Sequence, residues 1–238
     1  MPVPIRHRTP AARPDRGDPR ADVAAGVGLL AAGAAVTAAV VLPRSRWLVQ
    51  RVDERWYRLV QAHRHASLGR ASRALDVALG TTVDWTVRLG VTGLLVRQRR
   101  WRALAGWATT VALGEVSIGP VKARIERPRP LEPLTRTSMT SYPSGHAIAA
   151  ATTCPGIVLA LLPPGPRRER WLDAAVAVAA ATALSRTYLN AHWLSDTAGG
   201  FCLGTGFSLL VPRIVDSVVD SVGGRRRLAA ETYLIAGA

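Results

Sequence analysis

Negative charge is scarce in this sequence: 16 acidic residues stand against 31 lysines and arginines, for a net charge of +15 over 238 residues. In a soluble chain that balance points to nucleic acid. Here it does not, because the basic residues are spread over many separate stretches and form no single basic motif, so no nucleic-acid partner is expected. Cysteine is scarcer still. Cys154 and Cys202 are the only two. Both lie inside apolar stretches, too far apart for a zinc-ligand pattern, and they read as small packing residues. Repeats are absent, and the only compositional bias is toward alanine. No third histidine or carboxylate has the spacing to complete a metal site with His192 and Asp196. Neither a metal nor another cofactor is expected.

What is present is a series of long apolar blocks rich in Ala, Val, Leu and Gly, with the arginines mostly between them. Apolar residues make up 48% of the chain while charged residues still reach 20%, so the segregation, not the average, carries the signal. A charge at the centre of a bilayer costs about 2.5 kcal/mol or more, which drives this arrangement in membrane proteins. About 20 residues cross the hydrocarbon core as a helix. Six stretches qualify: roughly 23–42, 74–96, 103–121, 146–162, 171–189 and 193–215. The expectation is an all-α, six-span transmembrane helix bundle with an active site at one membrane interface. Val23–Leu42 is a full span with no cleavage site leading into a soluble domain, so it reads as a retained first helix.

Residues 1–22 are rich in Pro, Arg and Asp and read as a disordered tail; 23–215 form the six-span domain, and 216–238 a C-terminal tail. Within the domain, 44–73 carries Leu48, Val52, Trp56, Leu59 and Val60 at helical spacing with charges between them. That pattern suggests an amphipathic helix on the membrane surface, with His63 and His65 as interfacial polar residues. In the second span, Asp84 and Arg88 are four apart, share a helix face, and should pair inside the bundle.

Three short blocks at span ends carry candidate chemistry. Lys122 closes the third span and is followed by Arg127-Pro128-Arg129-Pro130, whose prolines hold the arginines extended. Tyr142-Pro143-Ser144-Gly145-His146 opens the fourth span. Ser144 is a natural N-cap there, and the exposed N–H groups of a helix start favour an anion. Ser185-Arg186 closes the fifth span, and His192 with Asp196 opens the sixth on one helix face. Asp196 is placed to accept the imidazole N–H, fix the tautomer and leave the other nitrogen free to attack. All three blocks gather at one membrane face. Lys122, Arg129 and Arg186 suit a dianionic phosphate and the charge of its transition state. Two histidines divide the work of nucleophile and general acid.

Lys122-x6-Arg129-Pro130, Pro143-Ser144-Gly145-His146 and Ser185-Arg186-x5-His192-x3-Asp196 resemble the three-part signature of the type 2 phosphatidic acid phosphatase superfamily, complete and in order. The resemblance covers about residues 115–200. It implies a metal-independent membrane phosphatase working through a phosphohistidine, with His192 as nucleophile, Asp196 as its orienting partner and His146 as the acid that protonates the leaving oxygen. Lys122, Arg129 and Arg186 would grip the phosphate, helped by Ser144 and the Gly145 backbone. Arg124 and Arg127 are further cations nearby, with an electrostatic or headgroup role as the expectation.

The implied substrate is a lipid phosphate or pyrophosphate, taken from the bilayer. Phosphatidate, phosphatidylglycerol phosphate and polyprenyl pyrophosphate all present such a group. The vanadate-dependent haloperoxidases share the signature but resemble larger soluble proteins. A non-catalytic lipid-binding relative would normally have lost a signature residue, and none is missing. The positive-inside rule puts Arg97–Arg102, Arg167–Arg170 and Arg225–Arg227 in the cytoplasm, so the site of this plasma-membrane protein would face outward.

Overall fold

The structure is a computed structural model that describes residues 19–137 and 140–236, with side chains for 20–137 and 140–222. The described residues form eight helices and no strand: α1 Pro19–Val41, α2 Pro43–Ala62, α3 Ala66–Ala78, α4 Thr81–Arg97, α5 Trp101–Arg124, α6 Gly145–Leu161, α7 Pro166–Tyr188 and α8 Leu194–Ala236. Most of the tail expected at 1–22 lies outside the described residues. The stretch expected as a C-terminal tail continues α8 as far as Ala236.

Local chemistry sets the breaks. Pro43 occupies the first turn of α2 and holds Leu42 extended, so α1 ends and the chain turns there. The predicted second span over 74–96 is not continuous. It breaks at Leu79–Gly80 into α3 and α4. A Cβ on Gly80 would lie 2.8 Å from the carbonyl oxygen of Asp76, so only glycine lets the chain fold back this tightly. The hydrophobic pattern continues across this break, which is why sequence periodicity ran the two helices together.

Helix α6 is the axis of the bundle. Ala147, Ile148, Ala150 and Ala151 on it are fully buried. Glycines of α8 allow close approach: a Cβ on Gly204 would meet the Ile148 carbonyl at 2.7 Å, and one on Gly200 the Ser144 carbonyl at 2.9 Å. Gly199 lies against Tyr142 and Gly206 against Leu30, so the glycines of α8 serve packing on both sides.

Polar groups are inside and large apolar side chains outside. Arg88 is buried and pairs with Asp84 at 2.8 Å and Glu115 at 2.5 Å. It also donates to Thr152 and Thr153. Leu89, Val116 and Val77 face outward. That inversion suits a lipid surround. Two helices among the described residues are both long and apolar enough to cross a membrane, over Arg20–Val41 and Leu194–Val222, and Gly145–Leu161 is apolar but shorter.

Candidate active site

The three sequence blocks meet where α5 and α7 end and α6 and α8 begin. Ser144 caps α6 through the Ala147 N–H at 3.4 Å, and its own N–H reaches the Asp196 carbonyl at 3.2 Å, tying the starts of α6 and α8 together. His192 precedes α8 and is almost wholly buried. Its Nδ1 lies 2.7 Å from the Ser141 carbonyl oxygen, and its Nε2 lies 3.3 Å from Nη1 of Arg129. Arg129 also donates to the Ala191 and Thr140 carbonyls, and Lys122 reaches the same Thr140 oxygen at 3.1 Å. Two cations thus converge on one carbonyl beside the imidazole.

The expected imidazole–carboxylate bond is not made. Asp196 lies 3.7 Å from His192 Nδ1, beyond hydrogen-bond range. Its oxygens accept instead from the Trp193 N–H at 2.9 Å and from Arg127 at 2.7 Å. The Ser141 carbonyl takes the role expected of the carboxylate. A carbonyl oxygen only accepts, so Nδ1 carries the proton and Nε2 keeps its lone pair. Burial pulls the His192 pKa down to about 4, against the pull of Asp196 in the other direction.

Arg186 and His146 come together through a residue the sequence did not single out as part of the site. Asp76, on α3, accepts from Arg186, lies 3.4 Å from His146 Nε2, and accepts from the Thr135 hydroxyl at 2.6 Å. It is an acid inside a cluster of cations. Its one sequence signal was a charge in an otherwise apolar stretch, and the break at Gly80 that brings α3 to α7 was not foreseen.

Arg127 was also undervalued. It is nearly buried, bonds Asp53 at 2.6 Å and Asp196 at 2.7 Å, donates to Ser195 and Gln50, and stacks over Trp193. Asp53 further accepts the Ser195 N–H and hydroxyl. In the amphipathic pattern of α2, Asp53 read as one of the charges between the apolar positions of a membrane-surface helix. Instead it is fully buried against the site, with Val60 buried beside it, while Leu48, Val52 and Leu59 are exposed. Asp53, Trp56, Tyr57 and Val60 share one helical face. Trp56 donates to Thr187 and Tyr57 packs on Trp193, so that face holds the site. Arg124 is exposed.

Fold and site together define an all-helical membrane protein with a cluster of cations and two histidines at one end of its bundle. The chain belongs to the PAP2 superfamily, whose family model matches residues 100–219. Phosphatidylglycerophosphatase B of Bacillus subtilis is 37% identical over 97 residues, which cover 38% of this chain and 47% of that one; the match therefore spans about half the length of that relative. Decaprenylphosphoryl-5-phosphoribose phosphatase of Mycobacterium tuberculosis is 32% identical over 154 residues, 62% of this chain and 76% of the relative. The crystal structure of a transmembrane PAP2-type phosphatidylglycerolphosphate phosphatase from Bacillus subtilis superposes with a TM-score of 0.67 at 25% identity, covering 81% of this chain and 96% of that one.

Proposed function

We propose that the protein is an integral membrane phosphatase that removes the terminal phosphate of a lipid phosphate or pyrophosphate through a phosphohistidine on His192. The observation that carries this reading is the pairing of His192 Nδ1 with the Ser141 carbonyl, which leaves Nε2 unprotonated beside the Arg129 guanidinium. A nucleophile and the cation that draws phosphate to it are thus adjacent.

The phosphate sits among Lys122, Arg129 and Arg186, with the Gly145 N–H and the Ser144 region at the positive start of α6 completing the cradle. His146 takes up a proton as the phosphate dianion settles beside it; Nε2 then attacks phosphorus, the bond to the leaving oxygen breaks, and His146 delivers the proton that oxygen needs. The imidazole becomes cationic on phosphorylation, and the Asp196 carboxylate at 3.7 Å stabilises that charge. His146, now neutral, takes a proton from water as it attacks the phosphohistidine, and inorganic phosphate leaves. The positive charge comes from side chains, so activity persists in excess EDTA. Asp76 holds Arg186 before substrate enters and yields it to the incoming phosphate, which keeps a buried guanidinium from standing unpaired.

The site lies at a helix-end plane, so the reacting phosphate sits at headgroup depth while its tails stay in hydrocarbon. The two relatives, by name, act on lipid-borne phosphates, which favours a lipid here. In this reading six spans cross the plasma membrane and the site faces outward, opposite the arginine-rich turns at 97–102 and 167–170. The test is phosphate release by purified protein in mixed micelles containing EDTA. Phosphatidate, phosphatidylglycerol phosphate and a polyprenyl pyrophosphate should each show a kcat/KM far above that of glucose 6-phosphate. Equal efficiency on the soluble ester would remove the lipid assignment.

A further inference from the structure

At the end of the bundle opposite the candidate active site lies a second basic feature that the proposed reaction does not use. The 17 residues of α6 separate the two, about 25 Å at 1.5 Å per residue. A cavity of about 640 Å³ opens there, walled by Arg99, Arg100, Arg102, Arg168 and Arg213, with Asp216 as the one acid in its lining. Its floor is largely apolar, formed by Ala103, Trp107, Leu159, Ala160 and Pro212, and a Cβ on Gly156 in it would meet Trp107 at 2.9 Å.

Among the described residues the charges of the wall are not balanced. Asp22 takes both Arg213, at 2.5 Å, and Arg168, at 3.7 Å, on a single oxygen. Arg102 pairs with Asp220 at 2.6 Å, and Arg100 donates to the Leu161 carbonyl. Counting Asp22, Asp216, Asp220 and Glu169, whose charge also acts on Arg168, five cations face four anions among the described residues. A general excess of arginine on one side of a membrane explains its sign, but it does not call for a walled cavity.

A second observation concerns Arg99. It ends α4 at φ +55°, the left-handed conformation that closes a helix and favours glycine. Its N–H bonds the Val96 carbonyl and that of Arg100 the Leu95 carbonyl, completing the turn. A non-glycine residue there costs about 1 kcal/mol, so an arginine in this position, at the mouth of a cationic cavity, is strained where glycine would not be. Trp101, next to it and exposed, is placed as an interfacial anchor.

We propose that this cavity binds the phosphodiester headgroup of an anionic phospholipid from the leaflet opposite the candidate active site. The arginines take the phosphate oxygens, and the apolar floor takes the glycerol and the first carbons of the tails. That floor selects a lipid over free phosphate.

The test uses the full chain in a neutral detergent, titrated with phosphatidylglycerol, phosphatidylcholine or inorganic phosphate, with binding read by native mass spectrometry and melting temperature. Two variants probe the wall. Arg99→Gly removes a cation while suiting the backbone, and Arg168→Gln leaves Asp22 still paired with Arg213. The double variant should bind phosphatidylglycerol at least about tenfold more weakly, one decade corresponding to the loss of a single charge-assisted contact, while its phosphate-release kcat stays at the wild-type level. Phosphatidylglycerol should stabilise the wild type, and phosphatidylcholine and inorganic phosphate at equal concentration should not. Unchanged phosphatidylglycerol affinity in the double variant, or equal stabilisation by phosphatidylcholine or inorganic phosphate, would overturn the proposal.

Discussion

His192 Nδ1 and the carbonyl oxygen of Ser141 are 2.7 Å apart, and this contact with the backbone, not the carboxylate of Asp196, sets the tautomer of the imidazole. Asp196 therefore acts on His192 by charge alone. At 3.7 Å and an effective dielectric constant near 20, its attraction for the imidazolium of the phosphoenzyme is at most about 4.5 kcal/mol. Asp196→Asn should lower kcat by about two to three orders of magnitude without the complete loss expected of a mis-set tautomer. Steady-state kinetics on a lipid phosphate decide this. A variant as inactive as one lacking His192 would show that the carboxylate has the larger role.

The pH profile follows from the same burial. The attacking form of His192 is neutral, and burial lowers its pKa to about 4. The neutral form is therefore retained as pH falls from 7 to 5 and lost only near 4. kcat/KM reports the free enzyme and the free substrate, so once corrected for the substrate phosphate's own second ionisation at about 6 it should show a descending acid limb near pH 4 that monoester and pyrophosphate substrates share. A shared limb near 6.5 would mean that the imidazole is solvated in the working enzyme.

Much of this site was legible because its parts are local. Ser144 as a cap, Lys122 and Arg186 at helix ends, and His192 just before α8 all follow from residue type and spacing. Asp53 and Asp76 were not legible as site residues, because their positions depend on how α2 and α3 fold back over the helix ends. The amphipathic pattern of α2 was read correctly as a helix. The pattern did not show that one of its charges, Asp53, turns inward against the site while Leu48, Val52 and Leu59 face outward. The unbroken helix expected over 74–96 failed at Gly80, where hydrophobicity continues but the backbone does not.

Arg127 joins Asp53, Asp196 and Ser195, and breaking a buried pair by removing one partner costs about 3–5 kcal/mol. Arg127→Ala should lower both the melting temperature in detergent and the activity, whereas Arg124→Ala, at an exposed position, should change neither appreciably. Equal melting temperatures for the two variants would show that the Arg127 network contributes nothing to stability.

Asp76 competes with phosphate for Arg186. Asp76→Asn removes the competitor's charge, so orthophosphate should inhibit the variant more tightly while kcat falls through slower product release. Inhibition constants for orthophosphate measured on both proteins test this, and weaker inhibition of the variant would make Asp76 a support for the phosphate site.

The central claim is that His192 is the nucleophile of a membrane phosphatase. It is tested most directly by phosphate release from a lipid phosphate in mixed micelles, comparing wild type with His192→Ala at equal amounts of folded protein. The wild type should release phosphate, and the variant should fall to the enzyme-free background, because no neighbouring group can replace the attacking nitrogen. Near-normal release by His192→Ala would contradict the account.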